Sequence, residues 1–173
     1  MADISKILKQ ATKRRRSVYL CLAGDLVAEL DRLEHQLAAL GGKAWEPSSL
    51  ADEDPRTGLA KKVAAARKAV RAAETEFVFQ ALDDRAWSDI LAAHPSKDGG
   101  QSWDPETFGP ALVAACAVDP VMTPEQVSEL FSIANHAQRE DLFRGAWEVN
   151  TEAPGIPFSL TDSGILESLI AAK

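Results

Sequence analysis

The chain has 173 residues, of which 46% are hydrophobic and 26% charged, and its formal net charge at pH 7 is −7. This composition predicts a folded globular protein of one domain or two small ones and argues against a disordered chain. No apolar run approaches the roughly 18 residues that cross a bilayer, and the N-terminal stretch "MADISKILKQATKRRRS" lacks a secretory apolar core, so we expect a cytoplasmic protein.

Charge is distributed unevenly along the chain. Residues 1–80 contain 14 Lys and Arg against 11 Asp and Glu, whereas residues 101–173 contain 3 against 11. We therefore expect the C-terminal half to repel nucleic acid. The dense basic run from Lys13 to Arg16 is typical of a solvated arm, so residues 1–16 are predicted to form a flexible basic arm with at most one turn of helix.

A strand and a helix are predicted next. The segment "SVYLCL", residues 17–22, has the alternation and the β-branched and aromatic content of a short strand. Asp25 is expected to cap the following helix, and Gly41-Gly42 is expected to end it. The leucines of this helix recur in steps of four and three and form one narrow stripe: Leu26, Leu30, Leu33, Leu37 and Leu40.

A second helix and a second strand complete this unit. Asp54-Pro55 is a helix-start signature after a polar connector. Steps of four and three recur in the second helix at Leu59, Val63, Ala66, Val70, Ala73 and Phe77. Because the two stripes match in period and length, an antiparallel helical hairpin is predicted. The segment "EFVFQAL", residues 76–82, is predicted to return beside the first strand as a two-stranded antiparallel ribbon.

The remainder is predicted to be helical. Asp104-Pro105, a capping box at Thr123, and Asn135 mark helix starts within residues 83–150, which are expected to form a bundle of four short helices. Residues 151–173 are expected to form an extended tail with a weak terminal helix. The fold class is mainly α, with a small antiparallel ribbon: arm 1–16, strand-helix-helix-strand unit 17–82, helical bundle 83–150 and tail 151–173.

No catalytic grouping is recognised in the sequence. His35, His94 and His136 are isolated and lack metal-ligand spacing. Adjacent carboxylates such as Asp83-Asp84 point about 100° apart on a helix, and "SKDGGQS" lacks the spacing of a phosphate loop. Cys21 and Cys116 are predicted to be reduced core residues. We therefore predict no catalytic, cofactor-binding or metal-ligating residue, no cofactor, and a protein that is not an enzyme.

Two interaction functions are open on the residues alone. One is a generic helical protein-interaction or regulatory module. The other is DNA binding by a helix-turn-helix at 124–134 and 136–149, which the acidic second helix disfavours. Aromatic residues at helical spacing are expected to pack mostly in the core. They are Trp87, Trp103, Phe108, Phe131, Phe143 and Trp147.

Five short motifs, in order, resemble the tail assembly chaperones of long-tailed, siphovirus-type bacteriophages that infect actinobacteria. Each motif is short, and their order over most of residues 17–150 carries the resemblance. The matching stretches are "LAGDL" at 22–26, "WSDILAAHP" at 87–95, "ETFGPALVAAC" at 106–116, "DPVMTPEQV" at 119–127 and "WEVN" at 147–150.

The resemblance implies a non-enzymatic assembly factor of the host cytoplasm that is absent from the mature virion. It would bind the tape-measure protein, keep it soluble and help to recruit the major tail-tube protein, with a homo-oligomer as an option and no nucleic-acid or membrane partner. A longer frameshifted form is common in that family. The narrow seam of the hairpin favours an internal scaffold, which leaves the acidic C-terminal half as the expected partner surface.

Overall fold

The computed structural model describes residues 3–41, 54–97, 99–100 and 102–153. The predicted terminal helix, most of the tail 151–173 and most of the polar connector between the hairpin helices lie outside these residues. The elements in chain order are α1 Ile4–Gln10, β1 Arg15–Cys21, α2 Gly24–Gly41, α3 Pro55–Ala72, β2 Glu74–Gln80, α4 Asp84–Ala93, α5 Pro105–Cys116, β3 Ala117–Asp119, α6 Pro124–Ile133 and α7 His136–Thr151.

The prediction of a mainly helical fold with a small antiparallel sheet is confirmed. Helix starts were predicted well, because a cap depends on side chains only two or three residues away. The Asp54 carboxylate accepts a hydrogen bond from the Arg56 backbone N–H at 2.8 Å, and Thr123 and Gln126 form the predicted capping box. The start of α2 was predicted two residues late, since Asp25 was expected to be its cap, whereas the helix begins at Gly24 and Asp25 lies in its first turn.

The predicted antiparallel pairing of the first and second strands is confirmed, but the sheet has a third strand that was not predicted, and the order is β1-β2-β3. Strands β1 and β2 pair along seven residues, with Val18 opposite Phe77 and Arg16 opposite Phe79. The third strand, β3, has three residues and pairs with β2 across an irregularity in register. It follows α5 directly, and its pairing with distant residues has no local signal in the sequence.

The basic run does not lie in a free arm. Exposed helix α1 precedes it, and β1 already begins at Arg15, two residues earlier than predicted. Arg14 donates to the backbone carbonyls of Glu148 and Glu152, and Arg16 forms ion pairs with the carboxylates of the same two residues. These contacts join the edge strand of the sheet to the C-terminal end of α7.

The helical hairpin is antiparallel, as predicted, but it stands apart from the rest of the fold. Helices α2 and α3 pack extensively on each other and make few contacts with other described elements. Each has 18 residues, which corresponds to a length of about 27 Å. Leu33 and Val63 are buried, whereas the other stripe residues on these two helices remain half-buried. A pair of helices buries side chains only along the line where the two helices touch, which we call the seam. The side chains on either side of the seam therefore stay partly exposed.

The core lies between one face of the sheet and helices α5 and α7. Phe77 and Phe79 of β2 are 4% and 0% exposed and lie beneath α7. Phe108, Leu112 and Val113 of α5 are each 0% exposed. Helices α6 and α4 pack on α5 from outside. Cys116 is buried in this core and Cys21 is half-buried, and both are free thiols, as predicted.

Asn150 joins three elements at the edge of the core. Its side-chain oxygen accepts from the Leu82 backbone N–H at 2.8 Å, and its amide nitrogen donates to the Ala146 carbonyl at 2.7 Å and contacts the Cys116 sulfur at 3.2 Å. We expect Asn150→Ala to lower the free energy of unfolding by about 1–2 kcal/mol, because the Leu82 N–H loses its acceptor.

Urea denaturation followed by tryptophan fluorescence measures this loss. Thr151→Ala is the matched control, since the exposed Thr151 hydroxyl bonds only to its own helix and its removal should cost under about 0.5 kcal/mol. Equal stability of the two variants would contradict the role assigned to Asn150.

Candidate protein-binding surfaces

A surface cleft of about 440 Å³ lies where α5, α6 and α7 meet. We call it the aromatic cleft. Its walls come from the loop before α5, the first turns of α5, the end of α6 and the first half of α7. The lining combines aromatic, proline and charged side chains: Trp103, Pro105, Glu106, Gly109, Pro110, Phe131, His136, Arg139, Glu140 and Phe143. Its volume falls within the range of ligand-binding pockets.

A connected cluster of aromatic rings supports the floor of the cleft. The Phe108 ring is buried, and its centroid lies 5.0 Å from that of Trp103 and 6.3 Å from that of Phe143. Trp147 lies 4.8 Å from Trp103 and 5.5 Å from Trp87 in the same measure. Aromatic pairs of this kind add to the stability gained from burial. The cleft therefore has an apolar, aromatic floor; Phe108 is buried, and the other five aromatic residues are partly buried against the core.

The mouth of the cleft is charged. Glu106 and Glu140 line it and are exposed. The half-buried Arg139 also lines it, and its Nε atom is buried without a hydrogen-bond partner among the described residues. Residues 102–153 together carry nine acidic side chains and two basic ones. The cleft thus opens within an acidic part of the surface, although one unsatisfied cationic donor lies inside it.

A buried carboxylate holds the loop that forms one wall. Asp104 is 6% exposed, caps α5 through the Glu106 backbone N–H, and forms an ion pair with Lys97 at 3.0 Å. The hydrogen bond from Lys97 and the one from the Glu106 backbone N–H hold the pKa of Asp104 below its ordinary value. The carboxylate therefore stays ionised at neutral pH. Asp104 thereby holds its two neighbours in sequence, Trp103 and Pro105, at the wall of the cleft.

The three histidines stay apart from one another in the fold. His35 is exposed on α2, His136 lines the aromatic cleft, and His94 bonds to the Thr107 hydroxyl at 2.9 Å. Burial raises the pKa of the Cys116 thiol, so this sulfur is protonated and unreactive at neutral pH. Across the described ranges, no group of three or more His, Cys, Asp or Glu residues is placed to hold a metal ion.

The proposed DNA-reading helix is poorly suited to phosphate. Of its two basic residues, Arg144 forms an ion pair with Asp141 one turn earlier, and Arg139 is half-buried in the wall of the cleft. Helices α6 and α7 both pack against α5. The geometry therefore favours α7 as a wall of the cleft over α7 as a recognition helix.

The sequence predicts no binding residue, and the aromatic cleft is assembled from two segments, 103–110 and 131–143, that are about 20 residues apart. Its one local signal was the clustering of Trp103, Pro105 and Pro110 around the start of α5. None of the helices in the described part of the chain is both long and apolar enough to cross a membrane. Comparisons of the chain with protein families, with curated proteins and with solved structures found no match.

Proposed function

We propose that this protein is a tail assembly chaperone of a long-tailed actinobacteriophage, acting in the host cytoplasm and absent from the mature virion. It binds the tape-measure protein, keeps it soluble and helps to recruit tail-tube subunits. The ordered motifs from Leu22 to Asn150 support this assignment. The observation that carries it furthest is the aromatic cleft, which is lined by helices and opens in an acidic surface.

The chemistry of the cleft suits a helical client. A tape-measure protein is long and largely helical, and it exposes apolar stripes until tube subunits surround it. An amphipathic helix binds by inserting apolar side chains, spaced three and four residues apart, into a hydrophobic groove. Phe131 and Phe143 supply such a surface, and the surrounding carboxylates attract the basic residues of a client and speed its association.

Co-expression tests the proposal. We expect the long helical protein encoded directly downstream to become soluble and to co-purify with this chain. Phe131→Ser should reduce the co-purified partner at least fivefold, because it removes an aromatic wall of the cleft. Ile133→Ser is the matched control, since Ile133 is on the same helix, is 70% exposed and does not line the cleft. A thermal melt by circular dichroism excludes unfolding as the cause.

Two charge-reversal variants test the role of charge in binding without changing the packing. Glu140→Lys reverses an exposed charge at the cleft, whereas Glu129→Lys makes the same change on α6 away from it. We expect the first to weaken capture of the partner and the second to leave it unchanged. A downstream product that stays insoluble and unbound, or equal effects of cleft and control variants, would contradict the proposal and favour a generic helical interaction module.

A further inference from the structure

The helical hairpin carries a basic surface, in contrast to the acidic surroundings of the aromatic cleft. Helix α3 carries six basic side chains and no acidic one, whereas α2 carries four acidic side chains and one basic. The hairpin contacts the rest of the described fold little, so α3 presents these charges on a projecting arm. The excess positive charge is therefore local, in a protein whose overall charge is negative.

Most of these cations have no anionic partner within the described structure. The ion pairs of the hairpin are Arg32 with Glu29, Arg56 with Asp54 and Arg67 with Glu34. Lys61, Lys68 and Arg71 have no described carboxylate within ion-pair distance. All three are exposed. Clustered exposed cations repel one another, so an anionic partner would stabilise the arrangement.

Three of the six basic residues of α3 lie along an apolar groove of about 440 Å³ on one flank of the hairpin. We call it the basic groove. Its floor comes from Leu37, Ala60, Val63 and Ala64, and its edge from Arg67, Lys68 and Arg71. The alanines leave room for a third helix to approach at the roughly 8–10 Å axial distance of packed helices. No described element covers this flank.

We propose that the basic groove is the docking site for an acidic amphipathic α-helix of a partner protein. The apolar face of that helix would cover the exposed side of the α2–α3 seam, and its carboxylates would pair with Lys68 and Arg71. The apolar floor disfavours a polyphosphate backbone, as does the carboxylate of Glu34, which pairs with Arg67 at the edge of the groove. The small alanine side chains lack the bulk with which a helix inserts into a membrane surface.

This inference does not rest on the proposed role in tail assembly, because it concerns the hairpin and not the aromatic cleft. If binding of the tape-measure protein requires Phe131 but not Lys68, the aromatic cleft and the basic groove act independently. Loss of the basic-groove interaction would likewise leave the chaperone proposal in place.

A designed peptide tests the proposal on the full chain. The probe is a fluorescein-labelled peptide of three heptads with leucine at a and d and glutamate at e and g, where like charges prevent self-pairing. Fluorescence anisotropy should show saturable binding that weakens between 50 and 500 mM salt, because the Debye length falls from about 14 Å to about 4 Å over this range. The protein's net charge of −7 opposes any non-specific attraction of this peptide.

Two matched variants locate the binding. We expect Lys68→Gln with Arg71→Gln to weaken the peptide at least tenfold. The control, Lys6→Gln with Lys9→Gln, removes the same charge from exposed positions on α1 and should change affinity less than twofold. Ala64→Gln fills the floor without changing charge and should also weaken binding. Far-UV circular dichroism establishes that each variant keeps its helices.

Four outcomes would overturn the proposal. A scrambled peptide of the same composition that binds equally well would show simple charge attraction. Equal losses of affinity in the Lys68→Gln with Arg71→Gln variant and in the Lys6→Gln with Lys9→Gln variant would show the same. A wild-type dimer in sedimentation that Lys68→Gln with Arg71→Gln abolishes would make a second copy of this chain the occupant. Tighter, groove-dependent binding of a 20-nucleotide single-stranded DNA, or of anionic phospholipid vesicles, would assign the groove to that ligand instead.

Discussion

Phe108→Ala is expected to lower the free energy of unfolding by about 3–5 kcal/mol. Phe108 is 0% exposed and its ring contacts those of Trp87, Trp103, Phe143 and Trp147. Truncation would leave a cavity beneath the aromatic cleft that these large rings cannot fill without leaving their rotamers.

Urea denaturation monitored by tryptophan fluorescence measures the effect, because Trp87, Trp103 and Trp147 surround the site. Phe108→Leu, which removes less volume, should lose roughly 1–2 kcal/mol and remain measurable if the alanine variant does not fold. Ile133→Ala is the control, since Ile133 is 70% exposed and its truncation should cost no more than about 0.5 kcal/mol. A Phe108 variant as stable as this control would contradict the position of the ring in the core.

Gly145→Ala is expected to destabilise the protein by about 2–3 kcal/mol through overpacking, although alanine is the better helix former. Gly145 lies in the middle of α7, where the helix crosses the sheet. A methyl group there would overlap the Val18 side chain and lie 3.2 Å from the Phe79 ring. Neither neighbour is free to move, because Phe79 is fully buried and Val18 is held in its strand.

Gly58→Ala is the matched control for this substitution. It introduces the same methyl group into α3, where nothing lies within 4 Å, so helix propensity alone predicts a gain of up to about 1 kcal/mol. Thermal unfolding followed by circular dichroism and by tryptophan fluorescence compares the two variants. Stabilisation by both would show that α7 does not approach the sheet as closely as the structure has it.

The helix starts were predictable because each cap is a contact between near neighbours in sequence. Asp104, Thr123 and Asn135 bond to backbone groups two or three residues away, and these pairings need no information about the fold. The hairpin was predictable for a related reason, since the two stripes match in period and approximately in length, although Phe77 at the end of the second stripe lies in β2. The exposed fraction of the hairpin was not predictable, because it depends on which other elements pack against the two helices.

The sites were less accessible to sequence reasoning than the helices. The aromatic cleft brings Trp103 and Pro105 beside Phe131 and Phe143, and no local pattern relates these positions. Strand β3 was missed for the same reason, because its three residues have meaning only through pairing with β2. The run from Lys13 to Arg16 was interpreted as a free arm, since the carboxylate partners of Arg14 and Arg16 lie more than 130 residues away.

The sequence by itself determined the helical class, the caps, the antiparallel hairpin and the uneven charge, because these depend on period, spacing and composition. Tertiary structure alone decided that α7 crosses the sheet at Gly145, that the acidic half forms an aromatic cleft and that the basic flank of α3 is left open. Those features arise from contacts between distant segments, and their free energy depends on shape and burial that no local pattern encodes.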